Sequence, residues 1–422
     1  MKTVAISHGT NIKQTTEETL NKLGGIEQFI QEEATIFIKP DMSLPLGHPV
    51  TIQPQVLGHL IKQCRQAGAK EIYIGFNPHN GTSSNQVFKL LGLDYYLQKL
   101  GGIPLSLESE SYSNVTVSDP IIFQSLKIPE KLLHCDVFIS LIAPRTDVFG
   151  PLALGIKNYL GLLNDEQKQQ VLQSGSLVGL LDFYKICPPQ LTIWDACFVG
   201  EGQGPFNQKA IPYDLILASN DLIAGDSIIT HLMGFDPFQD VILKAVLDNQ
   251  LGIIDPNKIT ILGEKIADHR KIIQKPMISS KNVSDAFNVI EGVPCLGCQI
   301  GLRYFLDFIL RFAEKDLKEF GGFTCFMGKL PSTLTHSLKT GVILFGNCAI
   351  SSNFQIEFNN RTQRKKYFFK FPGCPPYNLR TIEKFCLNFK EWLPSLEIIE
   401  EFVRKWTIGR QFQSRSTSTE TK

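Results

Sequence analysis

Short runs of β-branched and apolar residues recur through the first 260 or so positions, each followed by a stretch with helical periodicity. TVAIS opens the chain, and Thr15 with Glu18 three residues on predicts a capping box that starts a helix running to about Ile30. ATIFIKP (34–40) reads as a second strand and Pro54 to Ala67 as a helix with Val56, Leu57, Leu60 and Ile61 on one face. EIYIGF (71–76) then completes a βαβ unit. The pattern continues through a helix around Asn85 to Leu100 and strands at Ile103–Leu107, DVFISLI (136–142), LTIWD (191–195) and LILAS (215–219). Continuous apolar strands separated by helices belong in a sheet covered on both faces. The expected fold class is therefore α/β, a largely parallel sheet with flanking helices.

Such a sheet binds its ligands just outside the carboxyl ends of its strands. The segments that follow four of the strands are KPDMSLPLGHPVT, NPHNGTSS, APRTDVFGPLALGIKN and ACFVGEGQGP. Read as rim loops, they would gather Lys39, Asp41, Asn77, His79, Arg145, Lys157, Asn158 and Glu201. Lys39, Asp41, Arg145 and Asn158 are candidates for holding a small anionic metabolite, with Lys157 and Glu201 as candidate catalytic residues. Lys39 and Asp41 could equally pair at a sheet edge, and His79, in Asn-Pro-His-Asn, reads as a turn residue. Lys157 stands in the otherwise apolar ALGIKNYLG, where an ammonium needs a partner or a purpose. A lowered pKa fit for nucleophile or base work and a stem that snorkels to water both satisfy that context. GEGQGP has alternating glycines, but proline stands where a dinucleotide-binding helix would start, so that fingerprint is rejected.

Near residue 265 the pattern changes. LGEKIADHRKIIQKPMISSKN reads as a linker (265–290) between the α/β domain (1–264) and a smaller C-terminal α+β domain (291–408), with a polar, disordered tail at 409–422. In the second domain a helix from about Gly297 carries Leu302, Phe305, Leu306 and Ile309 on one side. FTCFM and GVILFG read as strands, and about Leu379 to Lys405 as a last helix.

That domain holds Cys295, Cys298, Cys348 and Cys374, in CLGC, GNC and GCPP. Four thiolates suit one metal centre, either a [4Fe-4S] cluster or a closed zinc site. Zinc sites of this class usually show a second close-spaced pair, and here the third and fourth cysteines are isolated, which favours the cluster. The helix beginning at Cys298 would add its positive end to the thiolate shell. The other six cysteines sit singly in apolar or helical surroundings and read as small hydrophobes.

A net charge of +1 gives no general attraction to nucleic acid. The basic run Arg361 to Lys370 reads as a solvated hairpin. The N-terminal residues have no secretory apolar core, and no stretch approaches the ~20 apolar residues of a membrane span, so the expected location is the cytoplasm, with reduced thiols.

AGAKEIYIG (67–75), DVFISL (136–141), LGIKNYLG (154–161), WDACFVGEGQGP (194–205), ASNDLIAGDSIITHLMG (218–234) and the CLGC, GNC and GCPP elements together resemble the domain of unknown function 362 family. The resemblance implies an α/β domain commonly associated with iron-sulfur clusters. Relatives typically carry Pro-x-x-Lys-x-His after the DVFISL strand, whereas this chain has Ala143-Pro144-Arg145-Thr146-Asp147, so Arg145 can bind an anion but cannot replace a lysine in proton transfer. Gly155-Ile156-Lys157 followed by Gly161 is faintly similar to the lysine segment of the nickel-pincer lactate racemases, without the expected histidines. The function expected is redox or cluster-assisted chemistry on a small anionic metabolite, with an electron-transfer partner. The alternatives are a scaffold held together by a structural metal and a racemase or isomerase acting through Lys157.

Overall fold

The computed structural model describes residues 2–78, 82–174, 176–331, 338–352, 367–376, 378–397, 399–401 and 403–405, and its strands form one large sheet, a four-stranded sheet and a two-stranded ribbon. The strands of the N-terminal part are β1 (Thr3–His8), β2 (Thr35–Pro40), β3 (Glu71–Phe76), β4 (Ile103–Ser106), the paired ribbon β5 (Tyr112–Thr116) and β6 (Ser125–Pro129), β7 (Val137–Ile142), β8 (Arg145–Thr146), β9 (Leu152–Ala153), β10 (Leu191–Gln203), β11 (Asn207–Ser219) and β12 (Thr260–Gly263). The order across the large sheet is β12-β1-β11-β10-β7-β2-β3-β4, with β8 and β9 beside β10. Pairing is parallel from β10 through β4 and between β1 and β12, and antiparallel on both sides of β11. The sheet is largely parallel, as the apolar strands require.

Alternation along β2 shows why both faces are covered. Ile36 and Ile38 point into one core with Val56, Leu60, Ile72 and Ile74, while Phe37 points into the other with Tyr73, Phe138, Tyr159 and Phe183. The first core is roofed by helices α1 (Ile12–Lys22), α2 (Pro54–Gln66), α3 (Ser84–Leu90) and α4 (Leu93–Lys99). Most of the second core lies beneath the short α5 (Glu130–Leu133) and α6 (Gly155–Asn158), α7 (Asp165–Ser174), α8 (Leu180–Ile186), α9 (Leu222–Leu232) and α10 (Val241–Asp248), with α11 (Ile266–His269) near the end of this part.

Three local expectations change. Helix α1 starts at Ile12 with Asn11 as its cap, the Asn11 side chain accepting from the Gln14 N–H at 3.3 Å, and Thr15 is buried inside the helix donating to the Asn11 carbonyl. It stops at Lys22 rather than near Ile30, because Gly24 and Gly25 both adopt positive φ. The segment after LTIWD is not a loop: β10 runs on to Gln203 and returns as β11, so WDACFVGEGQ is a strand of a long hairpin. Its glycines permit close packing, since a Cβ at Gly200 would lie 2.7 Å from the Arg145 Cβ.

The C-terminal part is α/β rather than α+β. Strands β13 (Phe287–Glu291), β14 (Phe323–Met327), β15 (Gly341–Phe345) and β16 (Phe368–Phe371) make a four-stranded sheet in that order, every pair parallel. The 25-residue α12 (Leu296–Phe320), the turn α13 (Asn347–Ile350) and α14 (Leu379–Phe389) complete it around a core rich in phenylalanine, with Phe305, Phe323, Phe345, Phe371, Phe385 and Phe389 in one cluster. Residues 368–370 of the basic run lie in β16, parallel to β15; Arg361 to Lys366 lie outside the described residues, as do His79 and the tail at 409–422. Beyond α11 the connecting segment lies against the end of α9, with the Lys271 and Ile273 N–H groups bonded to the carbonyls of Leu232 and Met233. Among the described residues no helix is long and apolar enough to cross a membrane, and the ten cysteines are free.

Candidate functional site

Where β2, β3 and β7 end, their following residues surround a cavity of about 100 Å³. Lys39 comes from the end of β2 and Asn77 from the residue after β3. Arg145 and Asp147 follow β7, Lys157 and Asn158 come from α6, and Lys168 from α7. The strand-end placement expected of this sheet class is met. Four cationic side chains (Lys39, Arg145, Lys157, Lys168) line the cavity against two carboxylates (Asp41, Asp147), an excess of positive charge in a place shielded from water.

Each charge has a defined setting. Arg145 donates through both terminal nitrogens to Asp41, a pair with side chains only 5% and 10% exposed, and also to the Ala143 carbonyl at 2.9 Å. Lys157 is 2.8 Å from Asp147 and donates to the Phe149 carbonyl at 2.6 Å, so the ambiguity left by its apolar sequence context is resolved by a partner rather than by snorkelling. Burial lowers its pKa while Asp147 pulls the other way. Asp147 also accepts from the Tyr304 hydroxyl of α12, which brings the C-terminal part into the cavity wall. Lys168 donates to the carbonyls of Asn77 and Pro78 at 2.9 and 2.6 Å.

Lys39 is 3% exposed and donates to the Pro40 carbonyl and to Asn158 Oδ1. Burial lowers its pKa to about 8, against the pull of Asp41 and with a further push from Arg145. Asn158 in turn donates to Ser140 Oγ at 3.0 Å, the Leu141 carbonyl at 3.2 Å and the Lys39 carbonyl at 3.4 Å, tying α6 to the strand ends. Helix α6 is held from below by Asp226 of α9, which accepts the Gly155 and Ile156 N–H groups at 2.8 and 3.0 Å. Gly155 is required by that approach, since a Cβ there would lie 2.7 Å from the carboxylate.

Of the residues expected at the rim, Lys39, Asp41, Asn77, Arg145, Lys157 and Asn158 are brought together. Glu201 is not. It lies on the continuing β10 strand, outside the cavity lining, and accepts the Gln274 N–H at 3.1 Å. The sequence reading passed over Asp147 as a cavity carboxylate, Lys168, Tyr304 and Asp226. A buried acid in the apolar stretch ASNDLIAGDSIITH was the one signal available for Asp226.

The four cysteines of the C-terminal part lie close to one end of its parallel sheet. Cys295 caps α12 and Cys298 is in its first turn, Cys348 is in α13 just after β15, and Cys374 follows β16. Cys298 shares a hydrogen bond with Cys295 and feels the charges of Cys374 and Cys348; burial first, then these neighbours, push its pKa up. Among the described residues no three His, Cys, Asp or Glu side chains are drawn in closely enough to hold a metal ion. Two glycines shape the surroundings: a Cβ at Gly346, which has φ +90°, would lie 3.0 Å from Cys298 Sγ, and one at Gly297 would lie 2.4 Å from the Leu172 carbonyl oxygen.

Helix α7 stands between the two sites. Lys168 and Leu172 line the cavity, while Gln169 donates to the Cys374 carbonyl at 2.6 Å and Leu172 presses its backbone on Gly297.

The fold and site thus define an α/β protein with a buried, lysine-rich cavity at its strand ends. Residues 36–231 match the family described as Domain of unknown function (DUF362). Thylakoid-associated protein sll1697 of Synechocystis sp. is 27% identical over 227 residues, 52% of this chain and 68% of that protein. A crystal structure of a Thermotoga maritima protein covers 87% of this chain and 97% of its own at 11% identity, with a TM-score of 0.37.

Proposed function

We propose that this protein binds a small anionic metabolite in the lysine-rich cavity and acts on it next to a four-cysteine metal centre, best suited to a [4Fe-4S] cluster, in redox or cluster-assisted chemistry. The observation that carries the reading is α7: a single helix lines the cavity with Lys168 and Leu172 and reaches the cysteine loop with Gln169. Cavity and cysteines share a wall.

Four thiolates are the donor set such a group takes, though among the described residues they would have to draw closer to close around it. Cys295, Cys298, Cys348 and Cys374 are all free and approach from a helix N-terminus and the ends of two parallel strands, and Gly346 leaves the space beside Cys298 open. They would hold the cluster, and a bound cluster would supply one-electron transfer or Lewis-acid polarisation. The chain's own residues do the rest: Lys157 and Lys168 offer charge to the anion, Asp41 fixes Arg145, and the strand ends exclude water. Cys295, Cys348 and Cys374 are exposed, and Val293 and Leu296, which flank Cys295 in the chain, are 79% and 43% exposed. That mixed surface suits transient docking of an electron-transfer partner. Free thiols throughout accord with a reducing compartment such as the cytoplasm.

The test is iron, zinc and acid-labile sulfide content with a visible spectrum, on anaerobically purified wild type and Cys298→Ser. Iron and sulfide in the wild type, lost in the variant, support the reading. Zinc without sulfide transfers the protein to the scaffold alternative, and no metal removes the centre altogether.

A further inference from the structure

Two lysines of the cavity sit in different electrostatic settings. Lys157 faces a carboxylate at 2.8 Å, which favours its charged form against the lowering effect of burial. Lys39 donates to an amide oxygen and a backbone carbonyl, both neutral, and among the described residues it forms no ion pair; the nearby Asp41 is engaged by Arg145. Asn158, immobilised by its three donated bonds, keeps its oxygen turned to the Lys39 nitrogen. An amide oxygen can accept from a neutral amine as well as from an ammonium, and unlike a carboxylate it brings no full negative charge to hold the proton on the nitrogen. Space is kept for the group: a Cβ at Gly161 would lie 2.8 Å from Lys39 Cε and 2.9 Å from Nζ.

We propose that Lys39 is the nucleophilic amine of this cavity and that its substrate is a small 2-oxo acid, whose carboxylate is received by Lys157 and whose carbonyl carbon meets Lys39 Nζ. The assignment rests on reading the cavity as an anion site and goes further by naming the substrate class and the reacting atom. A buried amine among cations is partly neutral at physiological pH, which is the form that attacks carbonyls. In the step, the Nζ lone pair forms a C–N bond as the carbonyl π pair moves to oxygen. Proton transfer from nitrogen to that oxygen gives a carbinolamine, and loss of water leaves a C=N bond. No oxidant or reductant is needed. A cavity of about 100 Å³ has room for a molecule the size of glyoxylate or pyruvate.

The experiment is to incubate the full chain with pyruvate or glyoxylate, reduce with cyanoborohydride and map adducts by peptide mass spectrometry, while measuring pyruvate and lactate binding by calorimetry. The expected result is a secondary-amine adduct on Lys39, on the order of tenfold or more above any other lysine. It should disappear in Lys39→Arg and be suppressed by excess lactate, which has the carboxylate but no carbonyl. Binding of both anions with no adduct on Lys39 overturns the amine assignment and leaves the anion site standing. An adduct centred on Lys157 overturns it too. Failure of either 2-oxo acid or lactate to bind wild type overturns the proposal together with the anion reading beneath it.

Discussion

Trp194 donates its indole N–H to Asp226 at 2.9 Å, both residues essentially without solvent contact. The same carboxylate takes the first two N–H groups of α6, immediately ahead of Lys157 and Asn158, so a residue outside the cavity sets the position of two inside it. Burial raises the Asp226 pKa from its ordinary 3.8 to about 7, against three hydrogen bonds that lower it. Since the folded value lies above the unfolded one, the contribution to stability is complete below pH ~4 and is lost as pH rises through about 7. Wild-type stability should therefore fall across pH 5–8 by on the order of 2–4 kcal/mol from this group. Asp226→Asn should be less stable at pH 5 by about 1–3 kcal/mol, because its NH₂ opposes a backbone N–H, and should lose that slope. Denaturant melts across this range check it, and an equally steep curve in the variant rules Asp226 out as the source.

Trp194 also meets Gly225 on the same helix as Asp226. A Cβ at Gly225 would lie 1.8 to 2.4 Å from three atoms of the indole ring. The ring is enclosed and cannot withdraw, so Gly225→Ala should destabilise by about 3 kcal/mol or more. Urea unfolding reads this directly; a variant melting with the wild type would mean that the helix and strand are free to separate.

The parallel strands were legible because each is a continuous apolar run whose alternate residues, such as Ile36 and Phe37, are buried on opposite faces. Lys39 and Arg145 were legible for the same reason, since they stand at strand ends, whereas Lys168, on helix α7, was not. The β10–β11 hairpin was not: glycines at 200, 202 and 204 look like a loop in sequence, and only the closeness of Arg145 and Gln208 to Gly200 shows that the strand runs on to Gln203, with Gly204 in the turn. Asp147 and Tyr304 were hidden because they are 157 positions apart and meet only through tertiary packing.

That pairing predicts an asymmetric response to mutation. Asp147→Ala leaves Lys157 in a nearly buried site without its carboxylate and removes the acceptor of Tyr304. The loss should be about 3–5 kcal/mol, as for other broken buried pairs, and the double replacement of Asp147 by Leu and Lys157 by Met should recover much of it. A double variant no more stable than Asp147→Ala would show that the cost comes from backbone rearrangement rather than from the stranded ammonium.

Gly161→Ala should behave in the opposite way. The clash falls on the far end of the flexible Lys39 side chain, so stability should change by no more than about 1 kcal/mol while the nitrogen leaves Asn158. The yield of borohydride-trapped 2-oxo acid on Lys39 should fall by on the order of tenfold. Full trapping with an unchanged melt would show that Lys39 has room to spare.

Helix α7 touches both the cavity and the cysteine loop. Lys168 ties it to the Asn77–Pro78 carbonyls at the cavity, and one residue later Gln169 ties it to the Cys374 carbonyl, so a shift of the helix that accommodates an anion must pull on the cysteine loop. Leu172 leaves little slack, because its carbonyl sits where a Gly297 side chain would be, just ahead of Cys298. Adding pyruvate to the anaerobically purified, metal-loaded protein should therefore perturb its visible spectrum. Gln169→Ala, which cuts the link without touching the cavity lining, should keep pyruvate affinity within a few-fold and lose most of the spectral response. A response that survives in Gln169→Ala would route the coupling through Tyr304 and α12, the other element that reaches both the cavity and a cysteine. No response in the wild type would mean that the two sites work independently.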